Sequence, residues 1–279
     1  MSAAEVRDLL ARHGLAPSRE RGQNFLIDER VAAELVLLAG VEPGDSVIEV
    51  GTGLGILTRA LAARARKVLT IEVDAGLVRA LRAEALVPAN ADLVHADALA
   101  LDWPALVRER AATRVVANLP YAISAPLLRA LLDLRGQLTD WSVMIQRDVA
   151  DRLLAQPGSR SYSSLTVLHR LCATLRRARD LSPGLFFPVP NVRSSFVRMT
   201  PRRDAPDGAD ELARIEQVVR AAFGQRRKTL ANALRGAGLP EPAAACAAAG
   251  IDPRARAESL APEAFRALAR AFGAEVQET

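Results

Sequence analysis

The sequence predicts an α/β fold, a mostly parallel sheet covered by helices on both faces, followed by a small all-helical unit. Three observations carry this. Past Pro43-Gly44 the hydrophobic period changes, and short β-branched runs begin to alternate with helical stretches. The connections between them are short, as a sheet wrapped by crossover helices requires. Beyond residue 210 the strand-like runs stop and only helical patterns remain.

In chain order, an amphipathic helix is expected over Ala3 to His13, ended by Gly14, and a second from about Glu29 to Leu38, before Gly40. SVIEV at 46–50, KVLTIEV at 67–73 and ADLVHAD at 91–97 read as strands, separated by helices near Leu57 to Ala65 and Ala75 to Ala85. TRVVANL at 113–119, WSVMIQ at 141–146, TLRRARDL at 174–181 and SSFVRMT at 194–200 complete a set of seven. PRRDAPDGAD at 201–210 reads as a linker. It divides a first domain, 1–200, from a helical domain, 201–279. No internal repeat is present.

The composition narrows the function classes. With 279 residues, 50% hydrophobic and 25% charged, the chain is that of a folded globular protein. No stretch reaches the ~18 to 20 uninterrupted apolar residues of a membrane span. The N-terminus carries charges where a signal peptide has its apolar core, so a cytoplasmic protein is expected. Cys172 and Cys246 stand alone, and His13, His95 and His169 are the only histidines, which argues against a metal centre or a disulfide framework. The net charge is +5, and 35 of the 37 basic residues are arginine. GC-rich coding accounts for most of that skew, because the alanine run at 243–249 points the same way; arginine also suits phosphate.

The first chemical signal is Gly51-Thr52-Gly53-Leu54-Gly55, between a strand and a helix, where glycines let the backbone turn tightly and approach a ligand. A dinucleotide fingerprint would place a sixth-position glycine where Ile56 stands. With Glu49 two residues before Gly51, the loop resembles the S-adenosylmethionine site of class I methyltransferases. Glu72, ending the second strand, could accept hydrogen bonds from both ribose hydroxyls, and Asp97, after the third, one from an adenine amine.

The second signal is Asn118-Leu119-Pro120-Tyr121. An exocyclic amine of a purine is a poor nucleophile because its lone pair is delocalised into the ring. A site that methylates it must accept its hydrogens and hold it in line with the methyl donor. The Asn118 side-chain oxygen and the Leu119 carbonyl, exposed because Pro120 bends the chain, supply two acceptors, and Tyr121 can stack on the base. Positioning and oriented dipoles then suffice without a strong base. Phe186, in FFPVP at 186–190, could close over the other face of the base; Phe187 is the better candidate for core packing.

Taken with GQNFLID (22–28), EVGTGLGILT (49–58), NLPYAIS (118–124), MIQRDVADRLLAQPGS (144–159), FFPVPNVRS (186–194) and FGQRRKTLANAL (223–234), the chain resembles, nearly end to end, the ribosomal RNA adenine N6,N6-dimethyltransferase family. The resemblance implies a Rossmann-like class I methyltransferase fold with a seven-stranded, mostly parallel sheet. It implies S-adenosylmethionine as cofactor, bound by Asn24, Leu26, Gly51, Gly53, Glu72, Asp97 and Asn118. It implies a reaction site of Asn118, Leu119, Pro120, Tyr121 and Phe186. The implied activity is dimethylation of N6 of two adjacent adenosines near the 3′ end of 16S rRNA in the small ribosomal subunit, with a role in subunit biogenesis. Residues 23–26 would form a lid that orders with the cofactor; without the family they read as a connector packed on the sheet. Arg226, Arg227 and Lys228 read either as a solvated helix face or as an rRNA contact. A monomer is expected. Thr52, where a proline is common, and Ala122, where an aromatic is common, depart from the pattern without removing a reactive group. The competing readings are a 23S rRNA adenine methyltransferase of the macrolide-resistance type and a ribosome-assembly binding factor; Leu119 and the RRKTL stretch favour the small-subunit group.

Overall fold

In a computed structural model, the structure describes residues 1–18, 22–225 and 227–274, apart from the side chains of Tyr121 and Ala274. The chain forms two compact units. The first comprises Met1–Ala150 with Arg176–Pro201, and the second Asp151–Leu175 with Arg202 onwards. The sequence partition at residue 200 follows the chain, whereas these units interleave along it.

The first unit opens with α1 (Ala3–Arg12), β1 (Phe25–Leu26) and α2 (Glu29–Leu38). The sheet is then laid down by β2 (Ser46–Val50), α3 (Ile56–Ala62), β3 (Lys67–Glu72), α4 (Ala75–Ala83), β4 (Ala91–His95), α5 (Trp103–Glu109), β5 (Arg114–Asn118), α6 (Ser124–Asp133) and β6 (Asp140–Gln146). Further along the chain come α7 (Arg147–Leu153), α8 (Ser164–Cys172), which lies in the second unit, β7 (Ala173–Leu181), β8 (Phe186–Phe187) and β9 (Ser194–Pro201). The seven-stranded sheet runs β4-β3-β2-β5-β6-β9-β7. β4 through β6 are parallel, and β9 is antiparallel to β6. Central β2 is buried at all five positions, as expected for a parallel strand covered on both faces.

Local chemistry fixes the helix ends. Asp28 caps α2 by accepting from Arg30 and Val31 N–H, and Asp74 caps α4 through Gly76 and Leu77. Ser2 and Glu5 form a capping box on α1. α3 stops at Ala62, short of the expected Ala65, and Asn90 Nδ2 donates to the Ala62 and Ala65 carbonyls beyond that end. At the N-terminal edge of the sheet, Arg114 pairs with Asp45 at 2.7 Å and with the fully buried Asp140, which Arg198 also binds.

The second unit holds α9 (Gly208–Phe223), α10 (Leu230–Gly236), α11 (Pro242–Ala248) and α12 (Pro262–Ala274), as the helical patterns predicted. Residues 151–175 join them because specific bonds hold them there. Tyr162 Oη donates to the Leu260 carbonyl at 2.8 Å, and Gly158 N–H to that of Glu258 at 2.7 Å. The segment read as a linker is pinned: Arg202 N–H donates to the Cys172 carbonyl, and its guanidinium to Asp204 and the Arg170 carbonyl. Such bonding between positions far apart in sequence leaves no mark on composition.

Candidate S-adenosylmethionine and base site

A cavity of about 290 Å³ opens at the C-terminal ends of β2, β3, β4 and β5. The strand order reverses between β2 and β5, which is where parallel α/β sheets place their ligands. Each wall can be derived from its own segment.

The floor is the glycine loop after β2. Gly51, Gly53 and Gly55 have φ of 83°, 57° and 73°. The first two sit tightly against neighbours: a Cβ on Gly51 would stand 3.1 Å from the Asn118 main-chain oxygen, and one on Gly53 would stand 3.1 Å from Phe25 Cδ1. Glu49 lies beneath this loop, fully buried and away from the cavity lining. Its Oε2 accepts from the Thr58 and Thr70 hydroxyls, each at 2.6 Å, so it ties β2 to α3 and β3. Burial pushes its carboxyl up to about 8 against those two bonds.

The acidic wall comes from the next two strand ends. Glu72 lines the cavity while its Oε2 accepts from Gly53 N–H at 2.9 Å and its Oε1 from Asp74 N–H at 3.0 Å. Burial raises its pKa against these bonds. Each carboxylate oxygen keeps a lone pair for a further donor. Asp97 lines the cavity from an exposed position, with Oδ1 accepting from Leu99 N–H at 2.9 Å.

The third wall is the turn after β5. Asn118, Leu119 and Pro120 line the cavity, followed by a 3₁₀ turn over Tyr121–Ile123. Leu119 N–H donates to the Met144 carbonyl at 3.0 Å, while among the described residues its own carbonyl makes no hydrogen bond. The Tyr121 side chain lies outside the described residues.

The fourth wall pairs two segments distant in sequence. β1 and β8 form a two-stranded antiparallel ribbon, Phe25 opposite Phe187 and Leu26 opposite Phe186. Asn24 and Phe186 line the cavity. Phe186 is 3% exposed and belongs to the main core, whereas the half-buried Phe187 lies under the Arg7 guanidinium, 5.6 Å from the ring centroid. Phe186 thus both lines the cavity and packs in the core, while Phe187 packs against a second cluster around Phe25. The Leu26 side chain packs in the core with Val31 and Phe186, outside the cavity lining, which leaves its main chain as the part that could face a cofactor. Gln23, Val73 and Met144 also line the cavity. Gln23 sits in the GQNFL stretch and Met144 opens the MIQRD stretch on β6, so both lay within motifs already singled out in the sequence, though neither was assigned to the site.

The donor set can be tested against candidate ligands. Among the described lining residues there is no lysine or arginine, and two carboxylates are present. A dinucleotide would place its pyrophosphate in this uncompensated acidic surround, whereas the cationic S-adenosylmethionine suits it. The residues present therefore fit that cofactor. Among the described residues no group of histidine, cysteine and carboxylate side chains could hold a metal, and no helix is long and apolar enough to cross a membrane. In the second unit, Arg227 and Lys228 are exposed in the turn between α9 and α10, so they do not share a helix face; Arg226 lies outside the described residues.

Known proteins agree with this geometry. The chain is 41% identical over 265 residues to the ribosomal RNA small subunit methyltransferase A of Magnetococcus marinus, covering 95% of each chain. It is 42% identical to the protein of that name from Streptomyces griseus, covering 96% of this chain and 94% of the relative. Among solved structures, the 23S rRNA methyltransferase ErmE superposes with a TM-score of 0.66 at 27% identity, over 90% of this chain and all of that one. A dimethyladenosine transferase from Plasmodium falciparum shares the fold, with a TM-score of 0.75 at 24% identity over 90% of this chain and 98% of that one. The fold is the Rossmann-like methyltransferase fold expected from the sequence, with a helical C-terminal region. The ribosomal RNA adenine dimethylase family matches residues 17–272, and the chain belongs to that family.

Proposed function

We propose that this enzyme uses S-adenosylmethionine to dimethylate N6 of two adjacent adenosines near the 3′ end of 16S rRNA, within the small ribosomal subunit and as part of its biogenesis. It acts as a cytoplasmic monomer. The observation that carries the reading is the neutral acceptor pair at Asn118 and Leu119, set beside an acidic cavity whose described lining residues include no cation.

S-Adenosylmethionine, when bound, supplies an electrophilic methyl group on a positively charged sulfur. Glu72 accepts from the ribose hydroxyls, Asp97 from the adenine amine, and Asn24, Gly51 and Gly53 shape the walls. Asn118 Oδ1 and the Leu119 carbonyl accept hydrogens of the target N6, and the nitrogen pyramidalises as its lone pair leaves the ring. Pro120 holds the Leu119 carbonyl clear of the sheet. Tyr121 and Phe186 take the faces of the base, each stacking contact contributing about 1 to 3 kcal/mol. Because Phe186 is packed in the core and paired across to Leu26, it is a fixed wall of the base site. Arg226, Arg227 and Lys228 add sequence-independent attraction to rRNA phosphates.

Removing the gene tests this directly: mass spectrometry should find the adjacent dimethyladenosines missing from 16S rRNA, and their persistence would contradict the reading. The 27% identity to a 23S rRNA methyltransferase supports one alternative substrate. A host expressing this chain should stay macrolide-sensitive; acquired resistance would favour that alternative. Asn118→Ala should lower methyl transfer by about 100-fold or more while leaving subunit binding intact, which separates an enzyme from an assembly factor.

A further inference from the structure

The N-terminal segment reaches the reaction site itself. Asn118 Nδ2 donates to the main-chain carbonyl of Asn24 at 3.3 Å, a bond between residues 94 apart in sequence. A carbonyl oxygen can only accept, so the edge of the Asn118 amide turned towards Asn24 must be its NH₂. Oδ1 is thereby left as the acceptor on the other edge. The two amide orientations have nearly the same shape, and the wrong one would present N–H to the N–H of a target amine. Something must select between them.

The Asn24 carbonyl is well held for that purpose. Asn24 Nδ2 donates to the Gly22 carbonyl at 3.2 Å. Gln23 Nε2 donates to Asp74 Oδ2 at 3.3 Å, the carboxylate that caps α4. The next two residues are paired with Phe186 and Phe187, and the Phe25 ring lies against Gly53. One short segment therefore touches the glycine loop, the α4 cap, the Phe186 wall and the acceptor amide.

We propose that the Asn24 carbonyl is a positioning group for methyl transfer: by accepting from Asn118 Nδ2 it sets the amide so that Oδ1 meets the target amine. Chemistry then requires residues 22–26 in place, beyond any part they take in holding cofactor. The inference rests on the reading of Asn118 as an acceptor for the amine hydrogens.

Asn118→Asp distinguishes the two claims. Ionised, the aspartate offers only acceptors and is repelled by the Asn24 carbonyl. Protonated, it nearly matches asparagine in shape and regains a donor for that carbonyl. Single-turnover rates on undermethylated small subunits, measured from pH 5.5 to 8.5 beside wild type and Asn118→Ala, read this out, with cofactor affinity followed by calorimetry. The expected result is an Asn118→Ala enzyme impaired about 100-fold at every pH. Asn118→Asp should be similarly poor at pH 8.5 but recover about 10-fold relative to wild type as pH falls, with cofactor kept saturating at every pH. An Asn118→Asp enzyme that matches wild type throughout, or is equally poor throughout, overturns the inference. Full activity of Asn118→Ala would overturn the reading of Asn118 itself, and the inference with it.

Discussion

Replacing Glu49 by Gln should reverse the pH trend of one part of the protein's stability. Glu49 is fully buried under the glycine loop; Thr58 and Thr70 donate to Oε2, and Oε1 has no partner among the described residues. Its carboxyl is raised from an ordinary 4.5 to about 8. A raised folded pKa means that the native state keeps a proton which the unfolded chain has lost between those values. The group's contribution is therefore fully present below about pH 4.5 and is lost as pH rises through about 8. That interval converts at about 1.4 kcal/mol per pH unit to at most about 5 kcal/mol. Gln does not titrate, and its amide can still offer an oxygen to the two threonines. Its NH₂ would meet the spot where Oε1 finds no partner, at a cost of about 1 to 3 kcal/mol. Urea unfolding of both proteins at pH 5.5, 7 and 8.5 gives a difference in which other groups cancel. Glu49→Gln should be the less stable protein at pH 5.5, with the gap closing and then inverting by pH 8.5. A gap constant across this range would refute the argument.

Other consequences are as direct. Gly51→Ala combines a φ of 83° with a Cβ 3.1 Å from the Asn118 oxygen, so cofactor affinity by calorimetry should fall at least about 10-fold. Arg114→Ala leaves the buried Asp140 and Asp45 each short of a cation and should cost about 3 kcal/mol in urea unfolding. In the helical unit, the hydrogen bond from Arg266 holds the Glu211 carboxyl down to about 2. A lowered pKa contributes stability above about 4.5 that disappears as pH falls towards 2, so Arg266→Ala should cost about 1 to 2 kcal/mol at pH 6 and almost nothing at pH 2, by circular dichroism melts.

Much of this was legible because period and chemistry coincide. SVIEV, TRVVANL and WSVMIQ are buried parallel strands whose ends must carry the site, so Gly51, Glu72, Asp97 and Asn118 converge wherever the alternation holds. What escaped depends on pairing between distant segments. A two-residue ribbon such as Phe25–Leu26 with Phe186–Phe187 has no period to detect, and it is this ribbon that sends Leu26 into the core and fixes Phe186. The placement of 151–175 with the helical unit likewise rests on single bonds, such as Tyr162 to Leu260. The bond from Asn118 to Asn24 joins two stretches that were each visible in the sequence, yet their contact was not.

The central claim is tested most directly by supplying the purified protein with labelled S-adenosylmethionine and small subunits that lack the modification, then mapping the label. The account predicts two adjacent N6,N6-dimethyladenosines near the 3′ end of 16S rRNA, and none when Asn118 is replaced by Ala. Label at another base, label in 23S rRNA offered as a competitor, or undiminished transfer by Asn118→Ala would contradict it.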